Sequence, residues 1–235
     1  FVTRKGDPVN TFYGFEYMGV FSTREEAEEA NLENAKGFSY GAGDAIFKDV
    51  SGPDNEPDGV INEFDKVNLG SPIPEYFGSL SNHFGYQRWF LDLSFQFVLG
   101  NEVFNYVRYQ NNKMTDLSNQ STNVLKRWQH EGDETSVPRA LWNDPIGNNA
   151  FSSRWIEDGS YLRLKNLTLG YKVPEEFLVF RNAEVFVSAS NLYTFSKYLG
   201  YDPEYSYSFN PMEQGIDYGL MPHTRRFMVG IKLGL

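Results

Sequence analysis

The chain of 235 residues carries 31 Asp and Glu against 21 Lys and Arg, a formal net charge of -10, which argues against a nucleic-acid partner because phosphate binding needs a basic surface. No run of about 18 apolar residues is present, so a transmembrane helix is excluded. With no cysteine, a disulfide scaffold and a thiolate metal site are excluded as well.

Aromatic residues reach 17%, with 20 Phe and 15 Tyr, an excess that suits strands and membrane-interface girdles. The start, Phe1-Val2-Thr3-Arg4-Lys5-Gly6, leads into no apolar secretory segment, so a mature chain or a piece of a longer one is expected. Thr11 to Phe21 is the first strand candidate. Ser22 to Lys36 follows with a Ser-x-x-Glu capping box and no broad apolar face, which predicts a short surface helix. Residues 37–75 are rich in Gly, Asp, Asn and Pro and read as loop.

Two strands are then expected, Tyr76 to Phe84 and Trp89 to Leu99, joined by the short turn Gly85-Tyr86-Gln87-Arg88. In the second, Trp89, Leu91, Leu93, Phe95, Phe97 and Leu99 share one face, while Asp92, Ser94 and Gln96 share the other. A connection of roughly 60 residues, with a helix expected near Leu117 to Trp128, leads to Ser160 to Tyr171; loops of that length are rare in compact domains. There Leu162 and Leu164 have one parity and Leu167, Leu169 and Tyr171 the other. One β-bulge near Lys165-Asn166 would restore a single apolar face. A turn at 172–182 leads to the strand Ala183 to Phe195, and a Tyr-rich loop at 196–222 precedes the last strand, Arg225 to Leu235. Its Phe227, Val229, Ile231, Leu233 and Leu235 lie on one face, opposite Met228, Gly230, Lys232 and Gly234.

Alternation alone leaves two destinations for these apolar faces, the core of a soluble β-sandwich or lipid. The order of connections, long, short, long, short, long, is that of antiparallel outer-membrane barrels, with long loops extracellular and short turns and the C-terminus periplasmic. The expected fold is therefore all-β, about six C-terminal antiparallel strands of a large transmembrane β-barrel. Six strands leave no room for solute, so the rest of the barrel lies outside this chain. Lumen-facing candidates are Asp92, Ser94, Gln96, Arg163, Glu184, Ser188, Ser190 and Lys232.

The segments that fix this pattern also carry a resemblance. Gly43-Asp44, Asp49, Asp58-Gly59-Val60-Ile61 and Gly70-Ser71-Pro72-Ile73-Pro74 come first, then Ser153 through Leu167 (SRWIEDGSYLRLKNL). Asn191-Leu192-Tyr193-Thr194-Phe195, Gly200-Tyr201-Asp202-Pro203-Glu204 and Gly215-Ile216-Asp217 with Pro222 follow, before the terminal strand. In this order they resemble the C-terminal region of SusC/RagA-type TonB-dependent outer-membrane transporters of Bacteroidota. The resemblance implies a parent barrel of 22 strands with an N-terminal plug, driven through TonB. It also implies a SusD-like surface lipoprotein as partner and import of oligosaccharides or peptides. Plug and earlier strands are not in this chain, and Leu235 departs from the aromatic residue with which the family usually ends.

Two sets of residues are candidates for binding. Asp54, Glu56, Asp58, Val60, Asn62 and Asp65 match an EF-hand-type calcium loop at positions 1, 3, 5, 7, 9 and 12, with Gly59 at the turn position. Pro57, the long Glu56 side chain and Asp65 in place of a bidentate Glu depart from that loop, and the bland reading is an acidic surface turn. Trp128, Trp142, Trp155, Tyr201, Tyr205 and Tyr207 fall in the expected extracellular loops, where flat rings stack on sugar or pack against a partner; the bland reading is loop-core packing. The three histidines, His83, His130 and His223, have no zinc spacing, and no catalytic constellation is legible, so no enzyme is expected. The competing functions are a soluble β-sandwich carbohydrate-binding module and a siderophore-type TonB-dependent transporter.

Overall fold

Thr11 to Phe21 does not form one strand. The computed structural model describes residues 1–174, 181–204 and 214–234, and in it this stretch breaks at Glu16 into β1 (Phe12–Phe15) and β2 (Tyr17–Val20). The helix α1 (Arg24–Ala30) is capped by Thr23, whose side chain accepts from Glu26 N, one residue later than the Ser22 box predicts. It stops at Asn31 in the left-handed region (φ 48), well before Lys36. Only Ala27 of this helix is buried, as expected of a surface helix.

The end of the stretch expected to be helix holds β3 (Glu33–Asn34), and the stretch read as loop, 37–75, is built of short strands: β4 (Ala45–Phe47), β5 (Val60–Ile61) and β6 (Lys66–Gly70). β1 pairs with β6 and β2 with β4, both antiparallel, while β3 and β5 run parallel. Phe21, Ala27, Tyr40, Ala45, Phe47 and Ile61 form a core, and Phe15, Tyr17, Leu32 and Ile146 pack against it. Glycines and prolines punctuate these strands without preventing burial, because the apolar residues between them converge from distant positions.

From Tyr76 the chain enters long strands: β7 (Tyr76–Tyr86) and β8 (Trp89–Leu99), joined by Gln87-Arg88 with Gln87 at φ 54. The connection after Leu99 holds β9 (Glu102–Asn105), α2 (Tyr106–Asn112) and β10 (Ile156–Asp158). The helix expected near Leu117 to Trp128 is reduced to a 3-10 turn at Thr122–Lys126, and α2, capped by Asn105, went unread. The remaining elements are β11 (Tyr161–Lys172), β12 (Arg181–Ser196), β13 (Ile216–Asp217), which pairs parallel with β9, and β14 (Arg226–Gly234).

The chain divides into two compact units. A loop unit comprises Phe1–Ile73, Glu102–Glu157 and Tyr205–Leu220; a sheet unit comprises Pro74–Asn101, Asp158–Glu204 and Met221–Leu235. The sheet runs β14-β12-β11-β8-β7, every neighbour antiparallel, with β7 and β14 at its edges among the described residues. It holds five long strands, because the sixth candidate, Thr11 to Phe21, belongs to the loop unit.

Register sorts the faces. Leu91 pairs with Phe84 and Leu169, Leu169 with Val187, and Val187 with Val229, so the apolar set is continuous across all five strands. Against β8 the pairing of β11 shifts between Leu164 and Asn166, which makes Lys165 the bulge that returns Leu167, Leu169 and Tyr171 to the face of Leu162 and Leu164, and against β12 Asn191 and Leu192 stand opposite that one residue. This face is uncovered: Phe227 and Val229 are 73% exposed and Ile231 68%. Eleven residues at about 3.3 Å, tilted about 40°, give the band a height of roughly 25 Å. At the short-turn end Tyr86, Trp89 and Tyr171 lie side by side on this face, Trp89 and Tyr171 with ring centroids 4.9 Å apart.

The loop unit is held by a buried carboxylate. Asp44, fully buried, receives Arg139 Nε and Nη2 in a fork at 2.8 Å each, Asn148 Nδ2 at 2.9 Å and Gly41 N at 2.9 Å. Removing one partner of a buried pair costs about 3–5 kcal/mol, and the partial exposure of Arg139 places this pair at the lower end. Asp44→Ala should therefore raise amide hydrogen exchange across Phe21 to Phe47 in the receptor at least tenfold, measured by mass spectrometry. Unchanged exchange there would show that the fork contributes nothing.

Candidate functional site

The eight polar residues expected to face a lumen lie on one face of the sheet. Gln96, Arg163 and Thr194 are direct register neighbours; so are Ser94, Asn166 and Ser190, and so are Asp92, Thr168 and Ser188, while Glu184 pairs with Lys232. Local pairs run along this face: Ser81 with Ser94 at 3.1 Å, His83 Nδ1 with Asp92 Oδ1 at 2.6 Å, and Ser190 with Asn166 at 2.9 Å. A shallow cavity of about 410 Å³ lies apart from it in the loop unit, between Tyr40, Phe47, Ile61, Phe64 and Ile146.

Arg163 is on the same face but does not line open space, for it is 1% exposed. Gly200 to Glu204 folds back over it. Its Nη2 donates to Asp202 Oδ1 at 2.5 Å, its Nη1 to Glu204 Oε2 at 2.5 Å, and its Nε to Thr194 Oγ1 at 2.9 Å, with the Tyr161 ring 5.2 Å from the guanidinium. Asp202 is the hub of the return. Its Oδ1 accepts from Glu204 N at 3.0 Å and its Oδ2 from His223 N at 3.1 Å, so one carboxylate ties Glu204 and His223 to the β11 strand. Burial pushes the Asp202 carboxyl up, but these amides and Arg163 outweigh burial and hold it below the ordinary carboxylate range.

Asp202, Glu204 and His223 have ligand atoms within 4.8 Å of one another, the spacing a metal ion would need. Here the centre is taken by a cation. Arg163 already engages both carboxylates and stands 2.9 Å from His223 Nδ1, with Lys165 Nζ 3.5 Å from Glu204. A divalent ion would sit against the guanidinium, so the cluster is a buried ion-pair network that fastens two loop ends to the sheet.

The carboxylates of the expected calcium loop, Asp54, Glu56, Asp58 and Asp65, form no cluster of three within 4.8 Å of one another among the described residues. Asp65 is turned inward: Oδ1 accepts from Val50 N at 2.8 Å and Ser51 N at 3.1 Å, and Oδ2 from Asn62 N at 2.8 Å. Asn62 caps the 3-10 turn Glu63–Asp65 and donates to Val60 O at 2.8 Å, which engages that carbonyl too. Asp54, Glu56 and Asp58 are exposed. The residue that reaches the Gly59 amide is Asp49, at 2.7 Å, outside the spacing used to read the motif; residues 50–58 make an excursion between them.

The loop aromatics divide. Trp155 is 1% exposed, edge-on to Tyr109 at 5.2 Å with the Arg154 guanidinium 4.3 Å from its ring, and so belongs to the core. Trp128 lies where a Cβ on Gly43 would be, 2.5 Å from its ring, and its indole donates to Ser22 O at 2.9 Å. Trp142 (62% exposed) and Tyr201 (76%) remain free to meet a ligand. Tyr205 and Tyr207 lie outside the described residues.

No family model matches the chain. The TonB-dependent receptor P3 of Formosa agariphila is 31% identical over 240 residues, covering 99% of this chain and 23% of that protein. The TonB-dependent receptor SusC of Bacteroides thetaiotaomicron is 26% identical over 184 residues, 77% of this chain and 17% of SusC. Among solved structures, the RagAB peptide importer in its open-open state matches with a TM-score of 0.73 at 24% identity, over 98% of this chain and 23% of that one. A second RagAB peptide transporter structure matches with a TM-score of 0.72 at 25% identity, over 95% and 22%. The chain thus spans about a quarter of the length of the first relatives it matches. With the open five-strand sheet, its faces and its bulge, these matches mean that the chain belongs to the TonB-dependent receptors of the SusC/RagA type, as a C-terminal part of their β-barrel.

Proposed function

We propose that the chain forms part of an outer-membrane TonB-dependent transporter that imports oligosaccharides or peptides together with a SusD-like surface lipoprotein. One observation carries the reading. Five adjacent strands keep an uncovered face that is apolar but for Asn82 on the edge strand β7, opposite a face of polar pairs, which is the division between lipid and lumen in a membrane barrel. The names of the relatives, SusC and the RagAB peptide importer, support transport and leave the choice between glycan and peptide to experiment.

In this reading Asp92, Ser94, Gln96, Glu184, Ser188, Ser190 and Lys232 line the lumen, and Arg163 anchors the loop that borders it. The Tyr86, Trp89 and Tyr171 row sits at the periplasmic interface, beside the short turns, where amphipathic rings are favoured. Long connections, and with them the loop unit, are extracellular, and the C-terminus is periplasmic. Trp142 and Tyr201 are the candidates for contact with substrate or lipoprotein, while TonB acts through parts of the receptor outside this chain.

Single cysteines in a cysteine-free full-length receptor test the faces. Ser94→Cys and Ser188→Cys should react with a membrane-impermeant maleimide in intact outer membranes, and Leu169→Cys and Val229→Cys should not. Equal labelling of both pairs, or a folded receptor monomer in detergent-free buffer, would sink the barrel reading. A deletion strain that loses growth on an oligosaccharide or peptide, but not under iron limitation, would separate nutrient import from siderophore uptake.

The Arg163 network gives a second expectation. A carboxylate held below its ordinary range contributes stability that is present above that range, near 4, and is lost as pH falls through the lowered value. Proteolytic protection of 196–204 and 221–225 should therefore hold at pH 7 and fail in strong acid. Arg163→Gln, which leaves the buried Asp202 without its guanidinium partner at a cost of about 3–5 kcal/mol, should lose that protection already at neutral pH. Protection of the variant equal to wild type would show that the network does not fasten the loop.

A further inference from the structure

One row crosses the polar face in strict alternation. Gly85 on β7 pairs with Phe90 on β8, Phe90 with Gly170 on β11, Gly170 with Phe186 on β12, and Phe186 with Gly230 on β14. The rings lie flat over glycines. A Cβ on Gly170 would stand 2.1 Å from Phe90 Cζ, and one on Gly230 would stand 2.4 Å from Phe186 Cζ. None of the three glycines has a positive φ, so what they supply is space and not backbone freedom.

Both phenylalanines lean the same way, toward the strand that follows in the chain. On the opposite, apolar face the sense reverses, since Phe97 of β8 covers Gly78 of β7, with its Cζ 2.9 Å from a Cβ there. The lean is thus a property of the face. A glycine within a strand leaves backbone hydrogen bonds thinly covered and gives no side chain to fix register, and a ring laid across it from the next strand supplies both.

Gly85 breaks the series. Its nearest neighbour is His83 Nε2, 3.9 Å from where a Cβ would be, and it stands on β7, the edge strand of the sheet among the described residues. The polar partners around it are turned to the other side: Ser81 and His83 are both engaged by β8, and His83 stacks on Phe90 with centroids 6.2 Å apart. By the sense of this face, the ring that covers Gly85 comes from the strand that precedes β7. We propose that this strand, in the portion of the receptor N-terminal to the chain, carries Phe, Tyr or Trp at the position paired with Gly85 and lays its ring over that glycine. The partner surface of the β7 edge is then specific in register, because a slip of one residue would turn the ring to lipid and leave Gly85 bare.

A cryo-electron microscopy structure of the full-length receptor tests this directly. An aromatic ring from the preceding strand in van der Waals contact with Gly85 Cα is the expected result. A small or aliphatic residue at that position, or a segment from inside the barrel seated on Gly85, overturns the proposal. Heat-modifiability of the receptor on SDS gels gives a second reading that does not depend on map quality. Changing that aromatic residue to Ala should lower the midpoint at which the folded band is lost by as much as Phe90→Ala does. A midpoint that stays at wild type while Phe90→Ala lowers it overturns the proposal as well, and Ser79→Leu, on the same strand and face, is the neutral control.

Discussion

A strand exchanges its faces when its register slips by one residue, and everything in the sheet depends on that not happening. Lys165 is where the constraint is most visible. Without the bulge, Leu167, Leu169 and Tyr171 would share a face with Asp92 and Ser188, while Asn166 and Thr168 would join the apolar band. The register shifts at the same place in both pairings, with β8 advancing one residue and β12 three for two of β11, so the three strands stay in phase on either side of it. It also carries Lys165 toward Glu204, which makes the correction of phase and the anchoring of the 202–204 return one local event.

The polar face spends its groups on one another more than composition suggests. Serine, histidine and aspartate pairs cross between strands, and the buried cation of the face, Arg163, is consumed by Asp202 and Glu204. Charge is divided to match. Of 31 acidic and 21 basic side chains, 23 and 12 belong to the loop unit, so that unit carries the whole of the chain's negative charge and the sheet unit is close to neutral. A wall in contact with hydrocarbon on one side gains from near neutrality, since unpaired charge near a bilayer is costly. The loop unit has no such restriction, and its surface combines this acidity with exposed Trp142 and Leu117.

Strand positions in the sheet were legible because alternation is a local signal: Trp89 to Leu99 matches residue for residue, and the parity change in Ser160 to Tyr171 located the bulge. The loop unit was not, because its order comes from pairs far apart in sequence. Asp44 is held by Arg139 and Asn148, and Phe47 packs against Tyr17; no window of a dozen residues contains either set. The same limit explains the site residues. Trp155 and Trp142 look alike as sequence, yet one is enclosed by Tyr109 and Arg154 and the other is open. Arg163 shares its face with solvated residues, and only the return of Asp202 and Glu204 shows that it is buried. In the acidic loop, spacing counted from Asp54 hid the fact that Asp49 reaches Gly59 and that Asp65 serves the backbone.

Both edges of the sheet bear on what a free-standing piece could be. β7 and β14 present rows of backbone donors and acceptors without partners among the described residues, at the level of the apolar band. In water such edges invite pairing with another copy; in hydrocarbon each unsatisfied group costs several kcal/mol, and an open sheet cannot persist there. The five strands are thus stable in a membrane only when both edges are closed by strands from the rest of the receptor. The two edges are not equivalent in what they offer. On β14 the glycine of the aromatic row is already covered from within the sheet, whereas on β7 it is bare. Closure at β14 can rely on backbone pairing, while closure at β7 also has a side chain to find, and so the β7 edge is where the correct neighbour is distinguished from a wrong one.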